Sequence, residues 1–429
     1  MATLTRSLEY FSGALKRLEL GEEQLLENPT SDRLHSARLT LPELRAGSNG
    51  KGTSALQAKT SAYAEMVERL STLETGLEIS PYRLIPMDRT RLAYQLKTYQ
   101  HMKGYQWRHQ DSYTETLQIE ELLKAIPFSK ENFDYLKDNS KLLRSWVPAY
   151  SLTKNKEIHI PPMFVRWISS SNGLASGNTI EEAIIHAFCE ILERYTLLHF
   201  IRGKERDAPN IDVNTIKDDD ILSMLEYFEK NNVEVIIKDL SSNGVFPAFA
   251  VITTSMDLSP KFVGYNTIKA GCHLDANEAL KRAFTERMQG TSFNSEKRLG
   301  FIRGDEVDVM LPLFFQGICS FDLKEYHSGP TVPMPDYTYS STGEALKKME
   351  FITSVLSSNM MVVDHTHPIM DVPVVRLIMP GISDFIGWWN TEKLTINFVG
   401  NIIPEDEKYE DKLFGFLSTF KERRKCLKD

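Results

Sequence analysis

The sequence lacks the features that mark secreted and membrane proteins. Its four cysteines, Cys189, Cys272, Cys319 and Cys426, form no CxxC pair, which argues against a zinc knuckle and against a disulfide framework. No apolar run approaches the roughly 18 residues that cross a bilayer, and the N-terminus shows no signal-peptide pattern. We therefore expect a cytoplasmic protein without a membrane span.

Positive charge is also scarce. Lys and Arg number 50 against 58 Asp and Glu, so the formal charge is −8 and the composition forces no phosphate-binding basic surface. Nucleic acid is therefore not an expected partner. The 429 residues are 41% apolar, an ordinary value for a globular chain that can bury a large core.

Three common catalytic motifs are missing. There is no GxSxG elbow of a serine hydrolase and no HExxH helix of a zinc protease. The segment GSNGKGTS is similar to a P-loop, but Lys51 is followed by Gly52 and lies too close to Gly47 for GxxxxGK[ST]. These absences exclude the corresponding enzyme classes.

Helical and extended patterns alternate along the chain, which predicts an α/β (α+β) fold. Helices are expected near 4–19, 54–73, 180–200, 219–230 and 343–358, and VEVIIKDL and FPAFAVITT read as paired strands. ENPTSDRLHS reads as a loop, and AGSNGKGTS, SSSNGLASGNT and YNTIKAGCHLDANEA read as glycine-containing turns before helices. We divide the chain into an N-terminal segment (1–45), a central domain (46–390) and a short tail (391–429).

A weak internal repeat is the most informative feature. Ser48-Asn49-Gly50 precedes a helix with Glu65 and Glu68, and Ser171-Asn172-Gly173 precedes a helix with Glu190 and Glu193. Both helices read ExxER, and a third glycine-led helix carries Arg282 and Glu286. The three helices thus share one chemical layout.

Helical geometry places Glu182, His186, Glu190 and Glu193 within about 80° of one another. One such stripe is most simply the solvent-exposed face of an amphipathic helix. Three glycine-led helices with aligned acids instead favour a site for hard cations, because carboxylate oxygens suit Mg²⁺ and helix starts suit phosphate. Clustered glutamates also need compensating cations, which Arg194, Arg282 and Lys51 could supply together with Mg²⁺.

Several segments resemble the YcaO family of ATP-dependent enzymes that activate peptide backbone amides. They are NGKGTSALQAKTSAYAEMVERLST, SNGLASGNTIEEAIIHAFCEILERY, ANEALKRAFTERMQG and VVRLIMPGISDF, which together span most of the chain. The run GNT…EA…E..ERY, followed by TE.(L/M)QG and PG.SD, is most similar to the branch named as an accessory factor for ribosomal-protein methylthiotransferase.

The resemblance implies a YcaO-type fold in which pseudo-repeated, glutamate-bearing helices surround ATP and Mg²⁺. The implied Mg²⁺ ligands are Glu65, Glu68, Glu190, Glu193 and Glu286. The implied nucleotide contacts are Asn178, Glu182, Arg194 and Arg282, with the two arginines also acting in catalysis, and Arg6 with Ser7 or Ser12 as N-terminal candidates.

The implied reaction is phosphorylation of a peptide or protein backbone amide by ATP, which prepares the amide for a nucleophile. The product would be a thioamide, an azoline or an amidine, and ADP and phosphate would be released. Since the chain ends KERRKCLKD, without the PxPxP tail of azoline-forming members, we expect cyclodehydration less than in that branch. Only a short segment precedes Arg45. We therefore expect that a partner protein delivers the substrate or the sulfur, or that the protein recognises its peptide substrate directly. Like its relatives, the protein would form a homodimer.

A rival interpretation is an ATP-binding accessory factor that assists a ribosomal-protein methylthiotransferase or another sulfur-modifying enzyme. Both interpretations need the glutamate cluster, and they differ in whether a substrate amide stimulates phosphate release. A third interpretation, in which the acidic faces are merely solvated, predicts no nucleotide binding.

Overall fold

The computed structural model describes residues 3–44, 46–72, 115–122, 146–201, 207–241, 246–258, 265–289, 318–319 and 326–384. Over these ranges helices and strands interleave, which confirms the predicted mixed class. The eight α-helices are α1 Leu4–Lys16, α2 Ala55–Thr72, α3 Ile119–Leu122, α4 Pro162–Ser169, α5 Ile180–Ile201, α6 Asp219–Lys230, α7 Ala276–Met288 and α8 Thr342–Val355.

The described strands form three sheets of three, six and five strands. They are β1 Gln24–Ser31, β2 Leu34–Leu41, β3 Ala46–Gly52, β4 Val147–Ser151, β5 Lys156–Ile160, β6 Leu174–Ser176, β7 Asn210–Asp212, β8 Val233–Asp239, β9 Ala248–Ser255, β10 Asn266–Cys272, β11 Ile318–Cys319, β12 Thr331–Pro333, β13 Met361–Asp364 and β14 Val374–Ile378. The sheet orders are β1-β2-β3, β11-β10-β9-β8-β7-β12 and β5-β4-β13-β14-β6. All the strand pairs are antiparallel except β7 with β12.

Hydrophobic periodicity located the long helices well. The predicted helices near 180–200 and 219–230 correspond to α5 and α6, and the predicted strand pair corresponds to β8 and β9. Helix α5 is apolar on most of its surface because it is buried between sheets, and its side chains pack with residues of β9, β10 and β14.

The loop predicted for ENPTSDRLHS is wrong. These residues form most of the β1–β2 hairpin, in which Asn28 pairs with Ser36 and a two-residue turn precedes Leu34. Strand β1 is mostly exposed at the edge of its sheet, where turn-forming residues such as Pro29 are tolerated because one side makes no ladder bonds. These turn-forming residues are the reason why the composition of ENPTSDRLHS predicted a loop.

The three glycine-containing turns are corrected in part, because each segment holds a strand, β3, β6 or β10, although residues 170–173 before β6 do form a turn. In β3 the side chains alternate, so that Ser48, Gly50 and Gly52 are buried while Asn49 and Lys51 are partly exposed. Ser48 Oγ donates to the carbonyl of Ala62, 2.7 Å away, which places this buried face against α2. Small residues here serve close packing between strand and helix.

Gly50 of β3 and Gly271 of β10 make the same kind of contact, each with the backbone of a different helix. A Cβ at Gly50 would lie 1.9 Å from Ala58 O and 2.4 Å from Ala62 N, and one at Gly271 would lie 2.2 Å from Ala279 O and 2.5 Å from Ala283 N. Each glycine lets its strand touch the backbone of the helix that follows, eight and twelve residues on. The proposed pseudo-repeat stays a prediction, which this shared contact supports.

Helices α2, α5 and α7 lie between sheets rather than outside them. Helix α2 packs on β3 and also contacts β6, and α7 packs on β9 and β10 and also contacts β2 and β3. The three-stranded sheet crosses the predicted boundary between residues 45 and 46, since β2 pairs with β3. The division into 1–45 and 46–390 stays a prediction, and the tail 391–429 lies outside the described residues.

Among the described residues, every helix is too short or too polar to cross a lipid bilayer. Their apolar faces are instead used in four buried clusters between helices and sheets. This finding agrees with the absence of long apolar runs in the sequence.

The close approach at Gly50 generates a stability prediction. The Gly50→Ala variant should lower the free energy of unfolding by about 1–3 kcal/mol or more, because its Cβ would overlap the α2 backbone. Thermal unfolding followed by circular dichroism measures the effect. The control is Gly13→Ala in α1, where the nearest atom to the new Cβ is 4.0 Å away. Equal melting temperatures for the two variants would contradict the packing argument.

Candidate functional site

Helix α2 presents two carboxylates whose backbone partners lie in different sheets. Glu65 Oε2 accepts a hydrogen bond from Asn49 N at 2.9 Å, and its other oxygen pairs with Arg69. Glu68 Oε1 accepts from both the backbone N–H and the hydroxyl of Ser176, each at 2.9 Å. The two glutamates therefore sit where β3 and β6 approach the same helix.

Helix α5 places its polar residues on one face, as the periodicity predicted. Near its start, Asn178 Nδ2 donates to both oxygens of Glu182 at 3.0 and 3.1 Å. His186 Nδ1 lies 3.3 Å from the carbonyl oxygen of Ser176, and Glu190 pairs with Arg194 at 3.6 Å. Ser176 thus contacts both α2 and α5 and holds their polar faces together.

Helix α7 contributes Glu286, which lies between two lysines. Lys51 from β3 forms a direct ion pair with Glu286, and Lys269 Nζ from β10 lies 3.5 Å from its Oε1. The charge of Glu193 also acts on Lys51, which places the α5 carboxylate near this pair. Three helices therefore deliver their glutamates to one region.

Gln289 fixes the end of α7 against β3. Its Nε2 donates to the carbonyl oxygen of Asn49 at 3.1 Å, while the N–H of Asn49 donates to Glu65. Arg38 Nη1 donates to the Asn49 side-chain oxygen at 2.8 Å. Asn49 therefore binds both Glu65 of α2 and Gln289 at the end of α7. These two bonds fix the distance between the Glu65 carboxylate and the end of α7.

Burial raises the pKa values of three glutamates. It raises the pKa of Glu68 to about 8, against the hydrogen bonds from Ser176, and that of Glu190 to about 7, with Arg194 opposing. The pKa of Glu193 is also raised, chiefly by burial. Part of the cluster therefore holds protons near neutral pH unless cations are added.

Glu286 behaves differently. Burial alone would raise its pKa, but the charges of Lys51 and Lys269 outweigh burial and hold the pKa well below the ordinary value. This carboxylate is therefore ionised at neutral pH. The cluster thus contains Glu286, whose pKa is lowered by two lysines, and Glu68, Glu190 and Glu193, whose pKa values are raised chiefly by burial.

Two neutral imidazoles and a phenol lie beside Arg282. Burial, with the charge of Arg282, lowers the pKa of His186 to about 4 and also lowers the pKa of His273. His273 Nδ1 accepts from Asp275 N at 3.1 Å, and its Nε2 lies 3.5 Å from Tyr339 Oη. Arg282 thus lies beside uncharged imidazoles and also acts on the carboxylate of Glu193, so its positive charge is directed at the anionic part of the site.

The donor set fits a hard divalent cation by its chemistry, since it is composed of carboxylates. As positioned, no three carboxylate, imidazole or thiol groups among the described residues converge on one point. The carboxylates accept instead from ammonium, guanidinium and backbone N–H groups, which a bound cation would replace. Glu65, Glu68, Glu190, Glu193 and Glu286 could hold Mg²⁺ in this way, and their role stays a prediction.

The N-terminal candidates lie on α1. Ser12 Oγ donates to Glu9 O at 3.4 Å, and Arg6 is exposed. Ser7 is buried, and its hydroxyl donates to Thr3 O at 3.3 Å. These are contacts within α1, so the roles of Arg6 and Ser12 in nucleotide binding stay predictions.

Sequence reasoning missed several residues of this region. Lys269 contacts Glu286 and Ser176 contacts Glu68, whereas Gln289 contacts Asn49, whose N–H binds Glu65. The partners of Ser176 and Gln289 are far away in sequence. The signal for Gln289 was present in the quoted segment TERMQG. Lys269 could have been noticed as the single charged residue of β10.

Comparison with known proteins identifies the family of the chain. The model of the family described as YcaO cyclodehydratase, ATP- and Mg²⁺-binding, matches residues 49–383. The chain therefore belongs to the YcaO family of ATP- and Mg²⁺-binding, cyclodehydratase-type proteins.

Among curated relatives, an uncharacterized protein of Methanothermobacter thermautotrophicus is 30% identical over 265 residues, covering 56% of this chain and 66% of its own. The Escherichia coli protein named ribosomal protein S12 methylthiotransferase accessory factor YcaO is 24% identical over 375 residues, covering 78% of this chain and 57% of its own. The chain thus spans less than two thirds of the length of these relatives.

Solved structures share the fold. A heterocyclase in complex with substrate and cofactor aligns with a TM-score of 0.62 at 18% identity, covering 93% of this chain and 55% of its own. YcaO from Methanopyrus kandleri, bound with AMPPCP and Mg²⁺, aligns with a TM-score of 0.58 at 17% identity, covering 90% of this chain and 92% of its own. The YcaO-type fold predicted from the sequence is confirmed.

The raised pKa of Glu68 predicts a pH-dependent stability. Between the ordinary value of 4.5 and about 8, the folded protein keeps a proton that the unfolded chain releases. The free energy of unfolding should therefore fall as the pH rises through this window, with a limiting slope of about 1.4 kcal/mol per pH unit.

The Glu68→Gln variant cannot ionise at this position, so in EDTA it should melt above the parent at pH 8.5 and level with it at pH 5. Differential scanning calorimetry across this range checks the prediction. The exposed Glu181→Gln on α5 is the control and should follow the parent. Parallel curves for parent and Glu68→Gln would show that Glu68 does not hold the proton.

Proposed function

We propose that the protein uses ATP and Mg²⁺ to phosphorylate a peptide or protein backbone amide and so activates it for a nucleophile. The observation that carries this proposal is the meeting of glutamates from α2, α5 and α7 with Arg194 and Arg282 in one region. Membership of an ATP- and Mg²⁺-binding family supports it.

Different residues of the chain would bind the metal ion, the ribose and the phosphates, according to their chemistry. Glu65, Glu68, Glu190, Glu193 and Glu286 would hold Mg²⁺, which when bound supplies charge to stabilise the triphosphate and the transferring phosphoryl group. Asn178 and Glu182, which already bind each other, offer amide and carboxylate groups to the hydroxyls of a ribose. Arg282, beside neutral imidazoles, would bind phosphate oxygens.

The activation step exchanges a poor leaving group for a good one. The nucleophile adds to the amide carbonyl carbon, and the amide oxygen takes the terminal phosphoryl group of ATP as the bond to ADP breaks. Loss of phosphate then gives a thioamide, an azoline or an amidine, according to the nucleophile. Arg194 and Arg282 would stabilise the negative charge that is spread over the transferring group.

A second candidate is an ATP-binding accessory factor for a sulfur-modifying enzyme. The name of the Escherichia coli relative favours it, since that protein is named as an accessory factor for a ribosomal-protein methylthiotransferase. In either case we propose a cytoplasmic homodimer that acts on a peptide or protein, with a second protein delivering the substrate or sulfur. Stimulation of phosphate release by a substrate amide favours the enzyme over the accessory factor.

Removing a carboxylate from α5 should weaken nucleotide binding without unfolding the protein. Glu190→Gln and Glu193→Gln should each weaken Mg²⁺-dependent AMPPCP binding by about 10-fold or more, because a charged ligand is lost from a partly buried cluster. Isothermal titration calorimetry measures the affinity, and circular dichroism reports the fold. Glu181→Gln, exposed on the same helix, should bind as the parent does. Unchanged affinity in Glu190→Gln would remove the basis of the proposal.

The route of the phosphoryl group predicts the nucleotide product. Transfer of the terminal phosphoryl group to an amide oxygen leaves ADP and phosphate, whereas adenylation would leave AMP and pyrophosphate. Ion-exchange chromatography of the spent nucleotide distinguishes the two pairs. A reaction without protein and one with Glu193→Gln are the blanks, and AMP as the main product would overturn this route.

A further inference from the structure

Lys51 reaches the site because of strand alternation in β3. Gly50 and Gly52 face α2, where no Cβ could fit, so the residue between them faces the other way. That side is the one toward α7, where Lys51 pairs with Glu286. The direction of this lysine is therefore set by the packing of its two glycine neighbours.

Lys269 arrives from a different sheet at the same carboxylate. Its Nζ lies 3.5 Å from Glu286 Oε1, while Lys51 pairs with Oε2. The side chains of Lys51, Lys269 and Glu286 are 26%, 16% and 21% exposed, so none of the charges is fully solvated. Lys51 is also acted on by the charge of Glu193, so carboxylates balance the two ammonium groups here. Mg²⁺ held by Glu193 and Glu286 would free the ammonium groups for a further anion.

The groups that could bind a ligand follow one another in a fixed order along α5 and α7. Asn178 and Glu182 lie at the start of α5, and the charge of Arg282 acts on His186 one turn further on. Lys51 is close to Glu193, eleven residues after Glu182, which corresponds to about 16 Å along the helix. The lysines thus lie at the end away from Asn178.

A nucleoside triphosphate matches the groups along the site in one orientation. Its ribose hydroxyls match the neutral amide and the carboxylate at the start of α5, and its phosphates match the arginine and lysines beyond. Arg282 lies one turn before Glu286 on α7, so it comes before the lysines along the site. The inner phosphates would then meet Arg282, and the last phosphate would meet the lysines.

We propose that Lys51, with Lys269 beside it, contacts the terminal phosphate of the bound nucleotide and lets the site distinguish a triphosphate from a diphosphate. This inference rests on the proposed function, because it takes the glutamate cluster as a Mg²⁺–nucleotide site. It adds two phosphate-contacting residues to those implied by the sequence.

The test compares the binding of AMPPCP and ADP in excess Mg²⁺ by isothermal titration calorimetry. In Lys51→Met, AMPPCP affinity should fall by about 10-fold or more while ADP affinity changes less than about 3-fold, since only the terminal phosphate loses a contact. Lys269→Met should shift the same ratio in the same direction. Lys51→Arg keeps the charge and should keep the preference for AMPPCP.

The matched control is Lys59→Met on α2, which removes a lysine of similar exposure that pairs with Glu27 at 2.8 Å. It should leave both affinities unchanged. Equal losses for AMPPCP and ADP in Lys51→Met and in Lys269→Met, or no loss, would overturn the inference while the proposed function stands. If Lys51→Met does not fold, the Lys269→Met ratio decides. A parent protein that binds neither nucleotide would refute the proposed function and this inference together.

Discussion

Repulsion among carboxylates is the constraint on which the rest of this structure depends. Glutamates from three helices lie in one partly buried region, and like charges in such surroundings cannot all remain ionised without compensation. The protein compensates in two ways. Glu286 is paired with lysines from two strands, whereas Glu65 and Glu68 accept backbone N–H groups from β3 and β6.

The packing of the fold serves this convergence. Each of the three helices follows a strand rich in small residues, and at Gly50 and Gly271 the strand touches the backbone of its helix. Such close contact leaves no room for a bulky side chain on that face, where the small Ser48 donates to the carbonyl of Ala62. The larger polar residues of β3, Asn49 and Lys51, lie on the opposite face, and both contact residues of the site.

Much of the architecture could be predicted from the sequence. The helices were located by their apolar periodicity, and the glutamates by a pattern repeated before and within them. The hairpin at 24–41 was missed because Asn28 and Pro29 resemble a loop but lie on an exposed edge strand. Glycine in β3 and β10 was read as a signal for a turn, whereas here it permits contact between strand and helix.

The site could be predicted only in part. The spacing of glutamates in the sequence predicted the carboxylates on α2, α5 and α7, and in the structure these carboxylates lie in one region. The contacts of Lys269 with Glu286 and of Gln289 with Asn49 could not be predicted from spacing, because they depend on how sheets and helices are arranged. The assembly of tertiary structure, rather than local propensity, decides these neighbours.

The position of α2 links two properties of the molecule that are usually separate. Glu65 and Glu68 lie about one turn apart, yet one holds the three-stranded sheet and the other holds the five-stranded sheet. A ligand that draws both carboxylates toward itself must compete with the bonds that fasten these layers together. Occupancy and the cohesion of the layers are then thermodynamically coupled, and each must alter the other by the same free energy.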